Sequence, residues 1–162
     1  MASQEIEFDQ FSDPNNPRKI KFEDIVAAAR RISGYVDRTP CLRAHMSSRL
    51  GMEVFLKAES MQHTGCFKER GVLNALTQLN VDQKRIGVIS ASIGNYGIAL
   101  SCVATKMSIP CIVVMPINTP TNKISKAREY GAKVMLHGTN MQDAIMQAKL
   151  LRKDKKMLYI NG

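Results

Sequence analysis

The sequence predicts an α/β fold built on an open parallel sheet that is flanked by helices. After residue 82, short apolar runs alternate with longer stretches of helical periodicity. The connections between them are short, which is typical of right-handed βαβ units with both sheet faces covered. The chain has 162 residues with 44% hydrophobic content, and this is enough to bury a core.

The first part of the chain predicts a mixture of short elements. Residues 1–20 are polar and contain two prolines, so we expect a flexible lead-in. Apolar residues at helical spacing predict a helix that ends at Gly34: Phe22, Ile25, Val26, Ala29 and Ile32. The following pattern predicts an extended piece, a helical turn, a strand and a helix at residues 39–42, 47–50, 53–57 and 67–79.

The second part predicts the parallel sheet. We expect strands at residues 86–90, 111–115, 133–136 and 157–160, with helices at residues 95–107, 120–130 and 140–153. Thr119 and Pro120 suit the start of the second of these helices, and Gly131 suits its end. In such sheets ligands bind beyond the carboxyl ends of the strands.

Charge and targeting signals narrow the partners that the chain could have. The net charge is +9, but the basic run at 149–156 closes a helix and carries no interleaved aromatic residues, so it predicts a solvated face instead of a nucleic-acid site. No apolar run is long enough for a membrane span. The acidic, polar N-terminus does not resemble a secretory signal. We therefore predict a cytoplasmic protein without nucleic-acid or membrane partners.

The cysteines and histidines do not form a recognisable metal or disulfide motif. Cys102 and Cys111 lie in apolar runs and are expected to be core residues, while Cys66 is either a pocket wall or a packed small residue. The three histidines, His45, His63 and His137, have no partner residues at a spacing that suggests a metal site or a catalytic triad, and we expect surface or structural roles for them. We predict no bound metal.

Two loops carry the candidate chemistry. Lys68 follows a small residue and an aromatic residue at the start of a helix, where a primary amine can form a Schiff base. Taken alone, this lysine is more typical of a solvated side chain in the first turn of an ordinary helix. The loop at 90–97 follows a strand and opens a helix, so its backbone N–H groups can hold an anion. Neither a dinucleotide fingerprint nor a P-loop is present in the sequence.

Several motifs resemble one enzyme family. The chain carries RTPCL at 38–42, VFLKAE at 54–59, VVMP at 113–116 and KAREYGAKV at 126–134. Residues 64–71, TGCFKERG, resemble the T-G-S-F-K-x-R-G segment of pyridoxal-phosphate enzymes in the tryptophan-synthase-β fold group, fold type II. Within that group, residues 22–162 are most similar to the L-threonine and L-serine dehydratases, with serine racemase close by.

The resemblance implies a role for each matching residue. Lys68 would bind pyridoxal 5'-phosphate as a Schiff base and move the Cα proton, and Phe67 would pack against the cofactor. Asn95 would hydrogen-bond the phenolic oxygen of the cofactor. Ser92, Gly94 and Asn95 would hold the carboxylate of a small amino-acid substrate. The implied reaction converts a β-hydroxy amino acid into a 2-oxo acid and ammonia.

The resemblance also implies a domain organisation. Residues 21–80 would form the N-terminal part of a large cofactor domain, and residues 81–162 a small α/β domain that runs back into it. Family members continue well beyond this point, so we expect a truncated member that lacks the glycine-rich loop for the cofactor phosphate. An exposed apolar face is then expected where the absent part would pack.

Three positions depart from the family pattern and leave alternatives open. Cys66 replaces a serine, Ile93 replaces alanine or serine, and Tyr96 stands where dehydratases carry histidine. Without a hydroxyl at residue 93, racemisation is disfavoured. The alternatives are a truncated, non-catalytic binding module, a serine racemase or a β-replacement synthase. The sequence is also compatible with a homodimer.

Overall fold

The computed structural model describes residues 19–162, and the chain divides into two compact units between Arg31 and Ile32. Most of the predicted lead-in lies outside the described residues. The first helix, α1 (Phe22–Ile32), spans the predicted positions. The Asp24 carboxylate accepts the backbone N–H of Lys21 at 3.0 Å, which satisfies a donor at the helix start.

A small antiparallel hairpin follows in the second unit. Strands β1 (Cys41–Arg43) and β2 (Phe55–Lys57) pair with Leu42 opposite Leu56. Between them lies the predicted helical turn, α2 (Ser47–Leu50), which ends at Gly51 in the left-handed conformation. Leu42 and Leu56, which lie opposite each other, are each more than half exposed, and so is Phe55. The apolar face toward an absent part of the family fold stays a prediction.

The segment before the sheet contains one helix that the sequence analysis missed. A 3₁₀ turn (Glu59–Met61) leads to α3 (Lys68–Thr77), and α4 (Val81–Ile86) comes next. Asn80 and Gln83 form a reciprocal capping box that starts α4. The predicted strand start at residue 86 is therefore wrong, because Ile86 still belongs to α4 and β3 covers Val88–Ala91.

The remaining elements form a four-stranded parallel sheet. They are α5 (Asn95–Lys106), β4 (Cys111–Met115), α6 (Thr121–Glu129), β5 (Lys133–Leu136), α7 (Met141–Lys155) and β6 (Leu158–Tyr159). The strand order is β5-β4-β3-β6, and every pairing is parallel. The predicted fold class is confirmed.

Both faces of the sheet are covered by helices. Alternate strand side chains such as Val88 and Val113 share a core with α3, α5 and α6. The opposite set, including Ile89 and Ile112, packs against Ala144 and Ala148 of α7. The small alanine side chains let α7 approach the strands closely.

The strand order contains one topological switch point. From β3 the chain moves outward through α5, β4, α6 and β5 on one face of the sheet. It then returns through α7 on the other face and places β6 on the opposite side of β3. β3 and β6 are therefore parallel neighbours that the chain reaches from opposite faces of the sheet, and in such folds ligands bind at the carboxyl ends of the strands at this point.

Candidate active site

Lys68 lies at the first position of α3, half-buried between two aromatic rings. Its Nζ atom is 5.6 Å from the centroid of the Tyr96 ring and 5.8 Å from that of Phe67. Both distances fall within the range of cation–π attraction. The amine therefore lies beside aromatic surface on both sides.

The next residue, Glu69, connects the Lys68 loop to α5. This residue is 2% exposed, and one carboxylate oxygen accepts the backbone N–H of Thr64 at 2.9 Å. The other oxygen lies 3.7 Å from Nζ of Lys106 on α5. A buried carboxylate needs such partners, and they fix the loop that precedes Lys68.

Arg70 ties the same helix turn to the preceding 3₁₀ turn. Its guanidinium donates two hydrogen bonds of 2.8 Å to the Glu59 carboxylate and a third of 3.1 Å to the backbone carbonyl of Asp37. The Thr39 hydroxyl also donates to Glu59, at 2.6 Å. The hydrogen bond from Arg70 lowers the pKa of Glu59 to about 2. Bidentate pairs of this kind fix orientation as well as distance.

A cavity of about 240 Å³ lies at the topological switch point of the sheet. It is bounded by the start of α3, the start of α5 and the residues after β6: Phe67, Lys68, Gly71, Ala75, Tyr96, Asn161 and Gly162. A Cβ at Gly71 would meet nothing within 4 Å, so this wall leaves open space beside the amine. The predicted site residues Phe67 and Lys68 are thus brought to one cavity.

Tyr96 closes the cavity on the side of α5. Its hydroxyl donates to the backbone carbonyl of Asn161 at 3.1 Å, and a Cβ at Gly162 would collide with its ring. Burial raises the pKa of Tyr96 well above its ordinary value, so the phenol stays neutral and remains a donor. The contact holds the end of β6 against the start of α5.

The loop after β3 is organised by Ser92. This residue is buried, and its Oγ accepts the backbone N–H groups of Gly94 at 3.3 Å and Gly97 at 2.9 Å. The Ser92 hydroxyl proton remains able to donate. Helix geometry leaves the N–H groups of Asn95 and Tyr96 without intrahelical acceptors, since they open α5. The loop therefore offers several donors at the positive end of a helix.

Asn95 is exposed, and its Oδ1 accepts a 2.8 Å hydrogen bond from Nζ of Lys123 on α6. Ser92, Gly94 and Asn95 lie in the loop beside the cavity and are not among its lining residues. Their assignment to cofactor and carboxylate binding stays a prediction. The sequence analysis missed Asn161 and Gly162, although their position directly after the last strand is the signal by which the switch-point rule could have found them.

Two of the residues that depart from the family pattern lie outside the lining of the cavity. Ile93 is 51% exposed, and Cys66 is buried but does not line the cavity. Cys102 and Cys111 are buried as expected, and burial raises the pKa of Cys111 to about 12. Within residues 19–162, no three His, Cys, Asp or Glu side chains are grouped so that they could bind a metal ion. In the same range, no helix has the length and apolar character that a membrane span requires.

Comparison with known sequences finds similar enzymes that act on amino acids. The chain is 37% identical over 144 residues to the catabolic L-threonine dehydratase of Escherichia coli, covering 87% of this chain and 43% of that protein. It is 33% identical over 140 residues to an L-threo-3-hydroxyaspartate ammonia-lyase of a Pseudomonas species, covering 86% of this chain and 44% of the relative. The chain thus spans less than half the length of these relatives.

A solved structure shows the same arrangement. Maize serine racemase superposes with a TM-score of 0.84 at 28% identity, over 89% of this chain and 44% of the racemase chain. The neighbours are fold type II enzymes, as the resemblance implied. The model of the family described as pyridoxal-phosphate dependent enzymes matches residues 32–162. The chain therefore belongs to the pyridoxal-phosphate dependent enzyme family.

Proposed function

We propose that the protein takes part in the deamination of L-threonine or L-serine to a 2-oxo acid and ammonia, with pyridoxal 5'-phosphate as its cofactor. The observation that carries this proposal is the Lys68 amine, which lies between two aromatic rings in a cavity at the switch point of a parallel sheet. The 37% identity to a threonine dehydratase supports the substrate class.

The residues around Lys68 fit the cofactor. A primary amine can bond to its aldehyde, and the faces of Phe67 and Tyr96 suit an aromatic ring. The small residues Gly71 and Ala75 leave space beside the amine. When bound, pyridoxal phosphate supplies the electron sink that stabilises negative charge at the substrate Cα.

The chain itself would supply binding and proton transfer. Nζ of Lys68 would anchor the cofactor and, once released from it, would accept the Cα proton, while the β-hydroxyl leaves with a proton as water. The Ser92 hydroxyl and the first N–H groups of α5 would bind the substrate carboxylate. Tyr96, which is partly buried, would limit the access of water from the side of α5.

The lyase assignment is favoured over racemisation by residue 93. Racemisation needs a second proton donor on the opposite side of the substrate, and the resemblance assigns that role to a serine hydroxyl at this position. Ile93 has no titratable group. We therefore propose loss of the β-hydroxyl instead of inversion at Cα.

Borohydride trapping tests the proposal directly. The purified chain is mixed with pyridoxal phosphate, reduced with borohydride, digested and mapped by mass spectrometry. We expect the reduced cofactor on Lys68, no such adduct in Lys68→Ala, and 2-oxo acid formation from L-threonine only with the unsubstituted lysine. Labelling spread over surface lysines such as Lys84 and Lys153 would contradict the proposal. Labelling of Lys68 without product would favour the non-catalytic binding module.

A further inference from the structure

Lys123 places a positive charge near the N-terminus of α6, where the helix dipole disfavours a cation. It lies in the first turn of α6, where no acidic residue is present. The positive end of the helix dipole is less favourable for a lysine than for an acidic side chain. Its long side chain is half-buried, although lysine loses much rotamer freedom when it is held in one conformation.

The ammonium of Lys123 has a specific partner instead. It donates to Oδ1 of Asn95 at 2.8 Å, across a sequence separation of 28 residues. The helix that carries Lys123 is held in place, because Ile124 and Ala127 pack in the core that α6 shares with α5. The backbone N–H of Lys123 also donates to the carbonyl of Pro120 at 2.9 Å.

This contact determines which way the Asn95 amide faces. An ammonium group has three donors and no acceptor, so it can approach Oδ1 but never the NH₂ group of the amide. The Nδ2 atom is therefore directed away from Lys123. Among the described residues, none accepts a hydrogen bond from it. The side chain is held with two N–H donors ready for an acceptor oxygen.

We propose that Lys123 is a positioning residue, which fixes the Asn95 amide so that its NH₂ group is presented to an anionic oxygen of the bound ligand. The inference rests on the proposed function only for the identity of that ligand, the phenolic oxygen of pyridoxal phosphate. The orientation itself follows from donor chemistry in this chain. Without the ammonium, the amide can rotate and present a carbonyl oxygen, which would repel the ligand oxygen.

The test compares two substitutions at one site. Lys123→Met keeps most of the side-chain length and removes the donor, whereas Lys123→Arg keeps donors that can reach Oδ1. Lys126→Met is the matched control, since it removes a cation one turn later on α6 whose Nζ lies 5.5 Å from the Tyr130 ring centroid. Thermal unfolding should shift by less than about 2 °C in all three, because exposed polar contacts contribute little to stability.

The first measurement needs no cofactor. The side-chain amide resonances of Asn95, assigned with Asn95→Asp, are followed in the free protein by nuclear magnetic resonance. We expect them to shift and broaden in Lys123→Met and to stay near their original positions in Lys123→Arg and Lys126→Met. An unchanged Asn95 amide in Lys123→Met overturns the proposal.

The second measurement is the affinity for pyridoxal phosphate, titrated by absorbance. We expect Kd to rise about tenfold in Lys123→Met, as loss of one charge-supported hydrogen bond implies, and to change less than about threefold in Lys123→Arg. An equal rise in Lys126→Met would overturn the specific role and indicate a general charge effect. If the unsubstituted chain takes up no cofactor while the amide still responds to Lys123→Met, the proposed function fails and the positioning role stands.

Discussion

Tyr96 joins the two sides of the cavity through a single side chain. Its ring faces the Lys68 amine, and its hydroxyl holds the backbone of Asn161. Dehydratases that the chain resembles carry histidine here, and histidine changes charge near neutral pH. Burial raises the pKa of Tyr96, so this side chain does not titrate in the neutral range. We infer that residue 96 contributes no pH dependence to ligand binding near neutrality.

The Tyr96→Phe substitution should loosen the end of β6. It removes the hydroxyl that donates to the Asn161 carbonyl at 3.1 Å and keeps the aromatic ring. We expect a loss of about 0.5–1.5 kcal/mol in the free energy of unfolding, the usual contribution of one such hydrogen bond. Chemical denaturation measures this loss, and hydrogen exchange should show faster exchange at residues 158–162.

Tyr35→Phe is the control for this experiment. Tyr35 is 71% exposed, so removing its hydroxyl should change neither stability nor exchange at the chain end. If both variants behave alike, the hydrogen bond from Tyr96 does not hold β6 in place.

The α3 helix owes its orientation to ion pairs at its first turn. Arg70 is fixed by Glu59 and by a backbone carbonyl, while Glu69 is fixed by Thr64 and Lys106. Lys68 precedes both residues and has neither kind of anchor within residues 19–162. The network therefore holds the backbone beneath the Lys68 amine without engaging the amine itself.

Acid should weaken this network through Glu59. Its pKa is lowered from 4.5 to about 2 chiefly by the hydrogen bond from Arg70, so the carboxylate is favoured in the folded chain. The resulting stabilisation is complete above pH 4.5 and is lost as the pH falls through 2. Glu59→Gln should lower the free energy of unfolding by about 1–2 kcal/mol at pH 7, and denaturation at several pH values should show the difference shrinking below pH 4.5.

Glu53→Gln offers a matched comparison. Glu53 is 74% exposed and lies 3.6 Å from Arg43, an arrangement in which solvent screens the attraction. Its loss should leave the pH dependence of stability unchanged. A Glu59→Gln variant with the same acid profile as the original chain would show that the Arg70 contact does not stabilise the fold.

At the scale of the whole molecule, one core connects the helix that begins at Lys68 to the sheet. Val72, Leu73 and Leu76 of α3 share this core with α5 and with strand residues such as Val113. The start of α3 and the start of α5 therefore keep a constant separation, and this fixes the width of the cavity. Stability and the geometry of the site are coupled through the same side chains.

Leu76→Ala should test this coupling. Leu76 is fully buried, and replacing it leaves a void that typically lowers the free energy of unfolding by about 2–5 kcal/mol. We also expect slower trapping of pyridoxal phosphate at Lys68, because α3 can shift against α5. Val81→Ala, at a position 82% exposed, should alter stability by less than about 0.5 kcal/mol and leave trapping unchanged.

The local sequence pattern predicted most of the helices and strands, but it did not predict the contacts between residues that are far apart in the sequence. The parallel strands and their helices follow from periodicity, and Lys68 and the loop after β3 follow from short motifs. The strand order does not, because residue patterns do not state that β6 pairs with β3 and not with β5. For that reason the wall formed by Asn161 and Gly162 was missed, as was the contact of Lys123 with Asn95. The α4 helix was missed because its capping box at Asn80 was not recognised.

The return of the chain to β3 has a consequence for biosynthesis. The amine of Lys68 leaves the ribosome long before the residues that complete its enclosure, since Asn161 and Gly162 come after every other described element. In a nascent chain the cavity beside this amine therefore stays incomplete until β6 docks. If the cofactor binds Nζ of Lys68 as proposed, it would encounter a different environment during translation than after release of the chain.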